Sequence, residues 1–244
     1  MDQQPTTIGL IGDVHAEDVR LEAALRYLAD SEVSTILCTG DLADGRGNLD
    51  RVVELLIEYD VKVVAGNHDR WLLADKYRHV PQAHRRDNLK SNTLDFFRAL
   101  PKSQSVSFRG QDLLLCHGVG DQDLAKVWPG TPRMAPERSE TLDGFIDSQA
   151  YQWIINGHVH FQTVIPFQTL TLINAGTLAG ERWPGFLTLD PLSSEIEVLS
   201  FKKDGIRSMG AKSLNTLLRP WKNTQCFSGD WDPSFLVDPQ TKAA

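Results

Sequence analysis

Residues 36–44 read Ile36-Leu37-Cys38-Thr39-Gly40-Asp41-Leu42-Ala43-Asp44. The run Ile36-Leu37-Cys38 has the character of a buried strand. The glycine after it permits a tight turn, so Asp41 is presented at the mouth of a sheet. Alone, a Gly-Asp after a strand is usually just a turn. The flanking chain, however, repeats the arrangement. An apolar run over residues 6–11 ends at Gly12-Asp13-Val14-His15, and one over residues 61–65 ends at Gly66-Asn67-His68-Asp69. Between them, Leu21, Ala24, Leu25 and Leu28 recur at helical spacing, as do Leu49, Val52, Val53, Leu56 and Ile57. This strand–helix–strand–helix–strand order predicts parallel strands with right-handed crossovers. Ligands of such sheets bind outside the carboxyl ends of the strands, where all three polar loops lie.

Further along, residues 70–92 are rich in basic and polar groups (Lys76, Arg78, His79, His84, Arg85, Arg86, Lys90) and read as a short helix or loop over the site. A helix is expected over residues 92–100, stopped by Pro101. A hairpin is expected around Gly110-Gln111, its second strand delivering His117-Gly118. A helix over residues 142–151 and a strand over residues 153–156 lead to Gly157-His158-Val159-His160. Strands follow over residues 163–167, 170–174, 186–189 and 196–201. Residues 1–204 read as one domain and residues 205–244 as an irregular C-terminal extension packing on it, with Trp221, Phe227, Trp231 and Phe235 scattered through it.

The chain has 244 residues, 41% hydrophobic and 23% charged, an ordinary balance for a globular protein. Its net charge of -7 argues against nonspecific nucleic-acid binding, which needs a basic face. Cys38, Cys116 and Cys226 give no disulfide framework, and Cys38 and Cys116 sit in apolar runs as small buried thiols. No apolar run reaches the ~20 residues that span a membrane, and the N-terminus carries no signal-peptide pattern. A cytoplasmic protein is expected.

The polar loops hold Asp13, His15, Asp41, Asn67, His117, His158 and His160, the oxygen and imidazole donors that hydrolytic divalent ions take. Each has a plainer reading. Asp13 could cap a helix, Asn67 could be a turn residue, and a lone strand-end histidine is more often a surface or core residue. Jointly those readings weaken, because five of the seven histidines fall in these loops. A bridging carboxylate would hold two ions about 3.5–4 Å apart, the arrangement used for in-line displacement at phosphorus.

The ordered set Asp13/His15, Gly40-Asp41 with Asp44, Gly66-Asn67-His68-Asp69, His117 and Gly157-His158-Val159-His160 resembles the signature of the calcineurin-like metallophosphoesterase superfamily. Residues 173–177 and 184–186 also resemble the ending of its small bacterial and archaeal phosphodiesterase-like members. The resemblance implies an α/β fold, a four-layer α/β-β/α sandwich with a dinuclear metal site between two mixed sheets. It implies one ion on Asp13, His15, Asp41 and His160 and a second on Asp41, Asn67, His117 and His158. Manganese is the foremost choice, with iron, zinc and nickel as alternatives. It further implies in-line attack by metal-bound hydroxide on a small phosphorylated substrate, with a phosphodiester or nucleotide preferred. His68 would protonate the leaving group, and Asp44 or Asp69 would orient it, with the family favouring Asp44. Small members often form homodimers. In protein-phosphatase-like members an arginine directly follows the second Asp; here Gly45 intervenes before Arg46. Arg70 reads as part of a helix start, and His84, Arg85 and Arg86 as a solvated basic loop. The competing readings are a phosphomonoesterase or protein-phosphatase-like enzyme, a silent scaffold on the same fold, and an amidohydrolase. A silent scaffold would lose ligands, and an amidohydrolase would place its His-x-His early.

Overall fold

Three parallel strands carry the first polar loops: β1 (Ile8–Ile11), β2 (Ile36–Cys38) and β3 (Lys62–Val63). The computed structural model describes residues 6–76, 82–215, 220–230 and 236–237. Helix α1 (Asp18–Asp30) joins β1 to β2, and α2 (Leu49–Glu58) joins β2 to β3. Asn48 caps α2 by accepting the Arg51 N–H. Helices α3 (Asn67–Leu73) and α4 (Ser91–Ala99) follow, the latter ending before Pro101.

The second half is built from β4 (Ser103–Phe108), β5 (Gln111–Cys116), α5 (Glu140–Ser148), β6 (Trp153–Asn156), β7 (Gln162–Pro166), β8 (Thr171–Ala175), β9 (Gly185–Asp190), β10 (Glu195–Lys202) and β11 (Gly205–Ser213). One sheet has the order β11-β10-β9-β1-β2-β3 and the other β4-β5-β6-β8-β7. Both are mixed. In the second, β5, β6 and β8 run parallel, so His117 and the loop after Asn156 leave the same end of the sheet.

Alternation along the strands sorts the side chains into layers. Ile8, Leu10, Leu37, Leu187 and Leu189 from the first sheet meet Leu113, Leu115, Trp153, Ile155 and Ile173 from the second in one buried cluster. The opposite faces pack on helices. Ile11, Ile36 and Cys38 pack with Leu21, Leu25, Leu28, Val52 and Leu56, while Leu114, Cys116 and Ile154 pack with Leu142 and Ile146. The result is the four-layer α/β-β/α sandwich expected from the sequence. Cys38 and Cys116 are buried free thiols, both pushed up to about 12 by burial.

Gly205–Ser213, expected to be irregular, is a strand that pairs antiparallel with β10 across a register shift between Glu197 and Leu199. Its residues are nearly all exposed, so the pairing is carried by backbone hydrogen bonds and leaves no apolar pattern in the sequence. Parts of the described tail beyond it touch the body. Phe227 meets Phe167 and Trp221, and Thr224 donates its hydroxyl to Asp143. Arg78, His79, Trp231 and Phe235 lie outside the described residues.

Candidate metal centre

Seven donor side chains from five loops meet between the carboxyl ends of the two parallel strand sets. Asp41, Asp13 and His117 are fully or almost fully buried, as is Asn67. His117 comes from the second sheet, and its Nε2 stands 3.3 Å from Asp41 Oδ2 and 3.1 Å from Asn67 Oδ1. His160 Nε2 lies 3.0 Å from Asp13 Oδ2 and 3.2 Å from His15 Nε2. The rings of His117 and His158 are 5.2 Å apart.

The backbone is shaped for this convergence. His15, Asp41, Asp44, His158 and His160 all have φ between 45° and 71°, the left-handed region that side chains rarely occupy. Such strain concentrates where a fold must aim side chains out of their regular directions. Two glycines permit close approach. A Cβ on Gly66 would lie 2.1 Å from Asp41 Oδ1, and one on Gly157 would lie 2.2 Å from Asp13 Oδ1. With only hydrogen there, the His68 N–H reaches Asp41 Oδ1 at 2.8 Å and the His158 N–H reaches both oxygens of Asp13 at 3.1 Å.

Burial alone would raise the Asp41 carboxyl. The hydrogen bond and charge of His117, with the charges of His68 and His15, outweigh it and hold Asp41 well below the usual carboxylate range. Burial works against a charged His117, yet the Asp13 and Asp41 carboxylates push it up to about 10. His160 is raised against its burial by Asp13, whereas burial lowers His15 and His158. The pattern is that of a pocket whose carboxylates call for positive charge.

The donors fit a divalent ion. His117 Nδ1–H donates to the Thr39 carbonyl at 2.8 Å, and His15 Nδ1–H to those of Ala43 and Asp44 at 3.0 and 3.1 Å. Carbonyl oxygens only accept, so both imidazoles turn their other nitrogen, Nε2, inward as the ligand atom. His158 Nε2 is buried with no hydrogen-bond partner, an orphan that a metal would satisfy. Three overlapping groups each bring donor atoms within 4.8 Å of one another: Asp13, His15 and His160; His15, Asp41 and His68; and Asp41, His117 and His158. Oxygen and imidazole without thiolate suit first-row divalent ions.

His68 sits at the edge of the cluster, its Nδ1–H donating to Asp44 Oδ2 at 2.7 Å and its Nε2 lying 3.9 Å from Asp41 Oδ2. Asp69 has a different task. It accepts from the backbone N–H of Leu42, Ala43 and Gly66, tying the Asp41 loop to the start of α3. Of the two carboxylates considered for His68, then, Asp44 is the one in contact. Beside the cluster a cleft of about 630 Å³ is lined by His15, Asp44 and His68 together with Glu17, Arg20, Arg46 and Glu181. Arg70, within α3, is paired with Asp123, and Arg86 with Asp75.

A family model described as the calcineurin-like phosphoesterase superfamily domain matches residues 7–190. The chain belongs to this superfamily. A stretch of 117 residues is 26% identical to an uncharacterized protein of Methanocaldococcus jannaschii. That match covers 45% of this chain and 48% of the relative, so the chain spans about half the length of the curated relative it matches. The crystal structure of a hypothetical protein from Pyrococcus horikoshii OT3 superposes with a TM-score of 0.65 at 13% identity, covering 81% of this chain and 89% of that one. An archaeal phosphodiesterase superposes with a TM-score of 0.52 at 18% identity, covering 80% and 99%. At these identities the structural likeness establishes the fold.

Three supporting roles escaped the sequence reading. Asn174 donates to the Asn156 side chain and the Gly157 carbonyl and accepts the Gly176 N–H, bracing the loop of His158 and His160. Asp69 stands three residues past Gly66, the capping position of a helix start, and this could have been read from spacing. His84 meets Asp44 from 40 residues away, and no local pattern announces that.

Proposed function

We propose that this chain is a dinuclear-metal phosphoesterase acting on phosphodiester or nucleotide-type substrates. Asp41 would be shared between two divalent ions, with Asp13, His15 and His160 completing one set of ligands and Asn67, His117 and His158 the other. The observation that carries this reading is that the candidate donor groups share members, His15 linking Asp13 and His160 to Asp41, and Asp41 linking His15 to His117 and His158. The bound ions would supply Lewis acidity toward the phosphoryl oxygens and an activated water.

The chain's own residues do the rest. Asp44 holds the His68 ring through Nδ1, leaving Nε2 to give its proton to the departing oxygen. Arg20 is committed to the carbonyls of Leu178 and Gly180 and lies near Glu17. Glu17 and Glu181 line the cleft together with Arg20 and Arg46, so its rim is close to charge-balanced. That suits the single charge of a diester better than the double charge of a monoester, and the archaeal phosphodiesterase on this fold agrees with it.

The test is a turnover screen of manganese- or nickel-loaded protein, with Asp41→Asn as control. It compares an aryl phosphate monoester, an aryl phosphodiester, cyclic nucleotides and dinucleoside polyphosphates. Diester turnover that disappears in the control is the expected result. A faster monoester would move the assignment to a phosphomonoesterase. A folded, metal-replete protein that cleaves none of them would overturn the reading.

A further inference from the structure

Asp44 has φ 66, outside any regular element, so its backbone groups must find partners of their own. They find them across the chain. The Asp44 N–H donates to His84 Nδ1 at 3.0 Å, and the His84 N–H returns a bond to Asp44 Oδ1 at 3.0 Å. The Asp44 carbonyl accepts from His15 Nδ1 at 3.1 Å, and Oδ2 accepts from His68 at 2.7 Å. Every polar group of Asp44 is therefore engaged, and His84 holds two of the four.

We propose that His84 is a positioning residue, whose paired bonds fix the Asp44 carboxylate so that Oδ2 orients His68. This rests on the reading of His68 as the acid that protonates the leaving group. The terminal torsion of an aspartate is soft and roughly two-fold. With Oδ1 held, Oδ2 has one direction left, toward His68 Nδ1. Without the His84 side chain the Asp44 N–H loses its acceptor and the left-handed turn relaxes, so the carboxylate is held only by the residue-84 backbone N–H on a loosened loop. The bond also defines the tautomer. Nδ1 accepts, so His84 acts in its neutral form with the proton on Nε2. Burial, which pulls the His84 pKa down, favours that form.

The test uses manganese-loaded full chain and two diesters with the same spectator group, methyl p-nitrophenyl phosphate and methyl phenyl phosphate. p-Nitrophenolate leaves readily without a proton, whereas phenolate needs one. His84→Ala is expected to lower kcat about tenfold on the phenyl ester and less than about threefold on the nitrophenyl ester, with KM and bound metal unchanged. His84→Asn, whose amide oxygen can still accept the Asp44 N–H, should recover the phenyl ester to within about threefold of the parent chain. It also serves if the alanine variant folds poorly. Equal losses on both esters, or a loss that Asn does not recover, would make His84 a plain loop anchor and overturn the proposal. A parent chain that cleaves neither ester would instead bring down the phosphoesterase reading beneath it.

Discussion

His117 and His160 each face a carboxylate of the cluster, yet the side chain of His117 is 0% exposed and that of His160 is 46% exposed. The inner group, Asp41, Asn67 and His117, is continuous with the packed interior, and Thr39 locks the His117 ring from behind. The outer pair, His15 and His160, stands on left-handed backbone with its two Nε2 atoms 3.2 Å apart; His15 is buried but lines the cleft, and His160 is the exposed member. Buried ion pairs resist the loss of a partner, while exposed ones cost little to break. The inner side chains should therefore serve fold and metal together. The outer ones should serve metal and substrate without holding the fold.

Asp41, buried with the inner group, is the carboxylate proposed to join the two sets of ligands, and its loss should have the largest effect. Asp41→Asn is expected to lower kcat/KM by at least about 10³-fold, since in the proposed centre several kcal/mol of charge stabilisation would depend on this carboxylate. Elemental analysis should show bound metal falling with it; activity within tenfold of the parent would contradict the sharing. The sharpest contrast comes next. In metal-free protein, His117→Ala should cost about 3 kcal/mol in urea unfolding, because it strands the Asp13 and Asp41 carboxylates. His160→Ala should cost less than about 1 kcal/mol. Equal costs would erase the distinction between the two sides.

Asp69→Ala removes the acceptor of three backbone N–H groups without touching a donor atom of the cluster. A loss of about 2 kcal/mol with metal still bound is expected. The pH dependence follows from His117, whose folded pKa of about 10 lies above the ordinary 6.5. A raised histidine stabilises fully below its unfolded value and loses that contribution as pH climbs through the folded one. The Tm of metal-free protein should then fall between pH 6.5 and 10. Metal-loaded protein should not show this fall, because the ion replaces the proton. Arg46 makes no hydrogen bond or ion pair among the described residues, and it lines the cleft. Arg46→Ala should raise KM by about threefold with kcat unchanged, the smallest of these effects.

The site was legible because each of its parts is local. Gly40-Asp41 after Ile36-Leu37-Cys38 and Gly157-His158 after Trp153-Ile154-Ile155-Asn156 put a polar residue just past an apolar run. Parallel pairing then brings such ends together. The helices were equally plain, since Leu21, Leu25 and Leu28 bury one face of α1. Strand β11 was not legible, because a mostly exposed edge carries no alternation to read. Nor was the His84–Asp44 pair, which is made across 40 residues by a loop without periodicity.

The amino-acid sequence alone determined which residues stand at strand ends and what chemistry they bring, because hydrophobic periodicity and turn residues act over a few positions. Tertiary structure alone decided that Asp44 rather than Asp69 meets His68, that His84 braces it, and that one side of the cluster is sealed while the other opens to a cleft. Those outcomes depend on which loops face each other once the sheets have packed, and no short-range preference encodes that.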